Sequence, residues 1–239
     1  MHRMRITVLQ PGYLPWLGFF EQELSVDKFV LYDDVQYDRR GWRNRNRVKT
    51  PDGFAWMTVP VEQKGRFDQL IRDVKIDNER PWRRKHIGTL ETFYAKAPYF
   101  DEIFRQFMQI IERDWEFLWE LDFELIKWMN DVIGIDTPIV LASSLQAEGN
   151  KSERLLNICR KLKANEYYSG AAARHYLEIE IFEREGINVF FQEFEHPTYP
   201  QLYGDFISHL SAIDLIMVAA GEAKKIILSG SKWKKATNL

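Results

Sequence analysis

Apolar residues in the first third of the chain fall in short runs bounded by Gly, Pro, Asn and Asp, and from Pro81 they recur at helical spacing. Met4–Gln10 reads as a buried first strand. Pro11 and Gly12 break it, and Pro15 suits the first turn of a helix carrying Trp16, Phe19, Phe20 and Leu24. Lys28–Asp33 is a continuous apolar run ending in acids, as expected of a strand covered on both faces. Trp42–Thr50, the turn Pro51-Asp52-Gly53 and Phe54–Val61 predict a hairpin, followed by a short strand at Ile71–Ile76. Pro81–Ala97, Tyr99–Arg113 and Trp115–Ile133 each carry an apolar stripe and predict three helices.

Beyond them the pattern alternates again. Strands are expected at Pro138–Leu141, Glu166–Ser169 and Asn188–Glu193. Helices are expected at Ser152–Lys163, at about Ala171 to Glu185, and over SHLSAIDLIMVAAG near the end. Strands alternating with helices predict an α/β fold: a Rossmann-like, mostly parallel sheet with an added β-hairpin and an inserted helical cap at about 81–133. One domain is expected over 1–230, with 231–239 as a flexible tail.

Composition narrows this picture little. Of 239 residues, 45% are apolar and 28% charged, so a packed core rather than disorder is expected. The single Cys159 excludes an internal disulfide and falls on an apolar helix stripe, which disfavours a thiol nucleophile. No apolar run has membrane-spanning length and none resembles a signal peptide, so a cytoplasmic setting is expected. Charge is uneven: residues 1–97 hold 18 Lys/Arg against 13 Asp/Glu, and residues 98–239 hold 15 against 22. That local excess suits one or two phosphates better than a long polyanion, so nucleic acid is not the expected partner. Eight acids and two bases within 101–124 suggest a solvated helix face.

The candidate chemistry is concentrated between Gln10 and Lys49. Arg43, Arg45, Arg47 and Lys49 occupy alternate positions, and cations on one strand face favour a phosphate or carboxylate guest. Asn44, on the other face, and Tyr199 and Gln201 further along the chain are additional candidate substrate contacts. Asp33 and Asp34 end the second strand, where they can orient a hydroxyl or amine or equally cap a turn. Gln10, Tyr13 and Trp16 flank the first turn and offer an amide and two aromatic faces to a sugar or base. His196, in the irregular HPTYPQ segment beside Tyr199 and Gln201, is the candidate general base, although a histidine held in a Pro-fixed loop fits as well. His86 reads as structural or as a second anion contact. His175 and His209 read as helix residues. Ser211 and Asp214, one helical turn apart, can cap one another or face the site. No metal-ligand spacing is present, and the residues name no cofactor.

QPGYLPWLGFF at 10–20, DDVQY at 33–37, WRNRNRVK at 42–49, the YSG of Tyr168-Ser169-Gly170, HPTYPQ at 196–201 and FISHLSAIDLIMVAAG at 206–221 together resemble the WbqC-like family of bacterial proteins. The resemblance implies a part in surface-polysaccharide (O-antigen-like) biosynthesis, as a transferase of glycine or a similar group onto a sugar. The partner expected is an anionic small molecule, a sugar nucleotide or nucleotide. A nucleic-acid or nucleotide binding module without catalysis is the rival reading. A weaker likeness to nucleotidylyltransferases places Trp16-Leu17-Gly18-Phe19 where those proteins carry His-x-Gly-His. Both histidines are replaced, so nucleotidyl transfer by that route is not expected.

Overall fold

In a computed structural model, which describes residues 3–237 except 40, 64 and 67, the apolar runs build one six-stranded sheet and a separate two-stranded hairpin. The strands are β1 (Arg5–Leu9), β2 (Lys28–Leu31), β3 (Arg45–Thr50), β4 (Gly53–Thr58), β5 (Ile139–Leu141), β6 (Glu166–Ser169), β7 (Asn188–Gln192) and β8 (Trp233–Lys235). The large sheet runs β5-β2-β1-β6-β7-β8, parallel except for β8, while β3 and β4 form the antiparallel hairpin. From β1 the chain moves outward through β2 to β5, then returns to the other side of β1 as β6 and β7. This reversal leaves a crevice beyond the carboxyl ends of β1 and β6, where open α/β sheets take ligands.

The helices are α1 (Leu17–Leu24), α2 (Trp82–Tyr94), α3 (Phe100–Ile111), α4 (Leu118–Ile133), α5 (Ala142–Leu145), α6 (Lys151–Lys161), α7 (Ile179–Arg184), α8 (Ala212–Ala219) and α9 (Ala223–Ser229). Strand alternation divides the core between the sheet's two faces. Phe29 and Leu31 pack with α1, α8 and α2–α4, whereas Ile6, Val8, Val30 and Val189 pack with α6 and α7. The three helices expected near 81–133 are α2, α3 and α4, lying in sequence between the hairpin and β5.

Four local expectations differ from the structure. Ile71–Ile76 is a 3-10 turn at Ile71–Asp73 followed by isolated bridges to Val61 and Phe117, because Ile71 and Val74 are one such turn apart and break the strand alternation. The helix expected at 171–185 is a 3-10 turn at Ala171–His175 and then α7, with the Glu178 amide donating to Ser152 Oγ between them. The segment expected to be a flexible tail contains β8, anchored where the Trp233 indole donates to Glu21 Oε1 at 2.7 Å; residues 238 and 239 lie outside the described residues. Asp122, counted on the solvated face, is 1% exposed on α4.

Candidate functional site

The first turn is built by close packing. A Cβ on Gly12 would lie 3.0 Å from the Trp42 carbonyl oxygen, a tight contact with backbone, so glycine favours the close approach of the turn to the root of the hairpin. Leu14 adopts φ 46°, and its carbonyl accepts from Asn46 Nδ2 at 2.6 Å. The Tyr13 amide donates to the Arg43 carbonyl, the Ser211 amide to Arg47 and the Ala212 amide to Pro15. Turn, hairpin and the N-terminus of α8 therefore form one unit at the switch point.

A cleft of about 800 Å³ opens there. Gln10 and Trp16 from the first turn, Trp42 and Arg43 from the hairpin root, and Ser169 and Gly170 from the end of β6 form its walls. Tyr32, Lys151, Tyr176 and His209 complete its rim. Gln10 presents an amide that has no hydrogen-bond partner among the described residues. Arg43 donates through Nη1 to the Gln10 and Pro11 carbonyls at 2.9 and 3.1 Å, and its Nε is buried without a partner. Burial lowers the Arg43 pKa, opposed by the fields of Asp122, Asp38 and Tyr37, and the guanidinium remains a cation at neutral pH. Lys151 adds a second, exposed cation at the start of α6.

The cations expected on one ribbon diverge. Arg43 precedes β3 and turns into the cleft. Arg45 and Arg47 lie over hairpin rings, Arg45 at 4.8 Å from the Trp56 centroid and Arg47 at 4.7 Å from that of Phe54. Lys49 is buried and donates through Nζ to the Asp205 carbonyl. The mixed face of Asn44, Asn46 and Val48 has a physical reason: both amides donate to backbone carbonyls, Asn44 to Val59 at 2.8 Å and Asn46 to Leu14.

The two strand-end acids are already engaged. Asp33 is buried and accepts from the Ser143 amide at 3.0 Å, near the start of α5. Asp34 pairs with Arg154 at 2.5 Å, and that guanidinium lies 5.3 Å from the centre of the Tyr32 ring. Neither acid lines the cleft, although Asp34 braces one of its walls through Arg154 and Tyr32. Tyr13 is fully buried, with its hydroxyl 2.8 Å from His86 Nδ1. Burial lowers His86 to about 4, so it stays neutral near pH 7.

HPTYPQ serves mainly to lock the loop. Tyr199 and Gln201 both donate to Asp214 Oδ2, at 2.8 and 2.9 Å, and Tyr94 donates to Oδ1 at 2.5 Å. His196 Nδ1 lies 3.0 Å from the Pro197 carbonyl, and its Nε2 is buried without a partner. The imidazole that reaches the cleft is His209. It is not helical: it has φ 59°, stands before the Ser211 cap of α8, and stacks on Trp16 with ring centres 5.1 Å apart. Burial, then the nearby Arg47, lower its pKa from 6.5, so it is a neutral base at pH 7. Ser211-Ala212-Ile213-Asp214, a capping signature, was the signal that could have placed His209 outside the helix.

Gly18 also has a packing reason. A Cβ there would fall 2.3 Å from the Trp16 ring, which lies across it. Among the described residues no three His, Cys, Asp or Glu side chains gather as a metal site, and no helix is long and apolar enough to cross a membrane.

A family model described as the WbqC-like protein family matches residues 10–226. An uncharacterized protein of Mycobacterium tuberculosis is 37% identical over 221 residues, covering 92% of this chain and 95% of that protein. No solved structure matches the chain.

Proposed function

The chain belongs to the WbqC-like protein family, and from that premise we propose that it is a transferase acting on a nucleotide-linked or phosphorylated sugar in the switch-point cleft. The group moved is an aminoacyl (glycine-like) or acyl group, delivered to a sugar amine in surface-polysaccharide (O-antigen-like) biosynthesis. The observation behind the reading is Arg43 beside the unengaged Gln10 amide, at the strand edge where such sheets take ligands. Arg43 and Lys151 hold the phosphate. Gln10 bonds a ring hydroxyl or amide, and Tyr32 and Tyr176 supply faces for a ring, with Trp16 in the wall behind His209. His209, neutral at pH 7, takes the proton as the amine nitrogen bonds to the donor's carbonyl carbon and the donor's leaving group departs with its electron pair.

Thermal unfolding against millimolar sugar nucleotides tests this. A ligand at a hundred times its Kd stabilises by about 2.7 kcal/mol. Arg43→Gln should weaken binding roughly tenfold to a hundredfold, the range for a charge-assisted hydrogen bond. Lys151→Ala, which breaks no contact among the described residues, should weaken it by less. No stabilisation of the wild type by any sugar nucleotide, or equal stabilisation of Arg43→Gln, would overturn the proposal.

A further inference from the structure

The outer face of the hairpin carries Trp42, Phe54 and Trp56, which are 45%, 44% and 39% exposed. The Trp42 and Trp56 ring centres are 5.0 Å apart at 39°, and Phe54 meets Trp56 edge-on at 6.2 Å. The Arg47 guanidinium lies within 6 Å of all three centres, at 5.2, 4.7 and 5.8 Å. An aromatic cluster this exposed is unusual, because large rings are ordinarily covered. Its position adds meaning. Trp42 belongs both to this cluster and to the cleft wall, next in sequence to Arg43. A ligand whose anion sits at Arg43 therefore has a stacking surface immediately outside.

We infer that the hairpin face is a nucleobase subsite, on which the base of a nucleotide stacks against Trp42 and Trp56 while its phosphates lie at Arg43. The inference rests on the proposed cleft and chooses between its two substrate classes, favouring the nucleotide-linked sugar over the simple sugar phosphate. Charge complementarity supports the choice. Tryptophan rings and a guanidinium plane both stack on flat π-systems, and the same cation attracts the phosphates that follow the base. The Arg47 Nη2 also donates to the His209 carbonyl at 3.1 Å, so the cation beneath the base helps to fix the imidazole loop at the cleft.

Calorimetric titration with ADP, UDP, inorganic pyrophosphate and glucose 1-phosphate provides the test. The wild type is expected to bind ADP or UDP at least tenfold more tightly than pyrophosphate. Trp56→Thr keeps a strand former opposite Arg47, and Trp56 does not itself line the cleft, although its ring packs on Trp42. The variant should lose roughly tenfold or more for ADP and UDP, in line with base-stacking losses, and leave pyrophosphate unchanged. Trp56→Tyr should recover most of the loss. If Trp56→Thr binds ADP and UDP like the wild type, or pyrophosphate binds as tightly as they do, the subsite is overturned while the anion cleft stands. If none of the probes binds, both fall. Tight, steeply salt-dependent binding of a twelve-residue oligothymidylate would overturn the inference in favour of a nucleic-acid strand. Trp56-dependent binding to phosphatidylglycerol vesicles would overturn it in favour of a membrane surface.

Discussion

Asp214→Ala is expected to lower the unfolding free energy by about 3–5 kcal/mol, read as a fall in the urea midpoint at constant slope. The carboxylate is buried and accepts from Tyr94, Tyr199 and Gln201. Truncation leaves three donors unsatisfied where water cannot easily replace the acceptor, and each orphan costs about 1–3 kcal/mol before relaxation. The loss extends beyond one side chain. The Tyr94 hydroxyl also accepts from the Lys49 amide of the hairpin at 2.8 Å, and Gln201 Oε1 accepts from the Ile207 amide at 2.9 Å. One carboxylate thus ties the hairpin, α2, the HPTYPQ loop and α8 together. Asp214→Asn should cost less, because its carbonyl still accepts from Tyr94 and the Tyr199 hydroxyl can turn to accept from its NH2, leaving the Gln201 Nε2 as the one donor that loses its acceptor at this position. A loss below 1 kcal/mol for Asp214→Ala would show that packing, not this network, holds the four elements.

That network explains which parts of the site could be read from sequence. Tyr199 and Gln201 look like ligand contacts because polar residues cluster in an irregular loop, yet their acceptor lies 15 and 13 residues onward and is met only after α8 docks. Asp33 is the same problem at longer range, since its amide partner is 110 residues away. Local signals did better. The short apolar runs located the parallel strands, and β6 falls on the residues expected of it. Pro51-Asp52-Gly53 located the hairpin turn. Gln10, Trp16 and Arg43 line the cleft because they follow a buried strand directly or pack against the turn that follows it. Period-two spacing did not reveal that the four cations would separate. Arg43 precedes the ladder, and the stem of Lys49 is covered by the Asp205 segment. Nor could apolar spacing alone mark where the last helix begins. Leu210 and Ile213 fit a helical stripe, but Ser211 is an extended cap whose Oγ accepts from the Ile213 amide at 3.2 Å.

Glu23→Gln should stabilise the protein, and increasingly so as pH rises. Glu23 lies on α1 with no exposure; Oε1 accepts from Asn130 Nδ2 at 2.6 Å, and Oε2 has no partner. Burial pushes its pKa up from 4.5 to about 8, and the Asn130 hydrogen bond only partly opposes the shift. The folded chain therefore keeps the proton after the unfolded chain has released it. Stability from this group is complete below about pH 4.5 and is lost as pH rises through about 8, the reverse of an ion-paired carboxylate. At about 1.4 kcal/mol per unit, the loss is about 3 kcal/mol at pH 7 and about 5 kcal/mol above pH 8. Glutamine keeps the acceptor for Asn130 and has no proton to lose. Urea unfolding of the two proteins should give midpoints that nearly coincide at pH 4.5 and separate steadily toward pH 8.5, with the variant the more stable. Parallel pH profiles would mean that water or a neighbouring group solvates the carboxylate, and that the polar face of α1 is not the dry interface its burial describes.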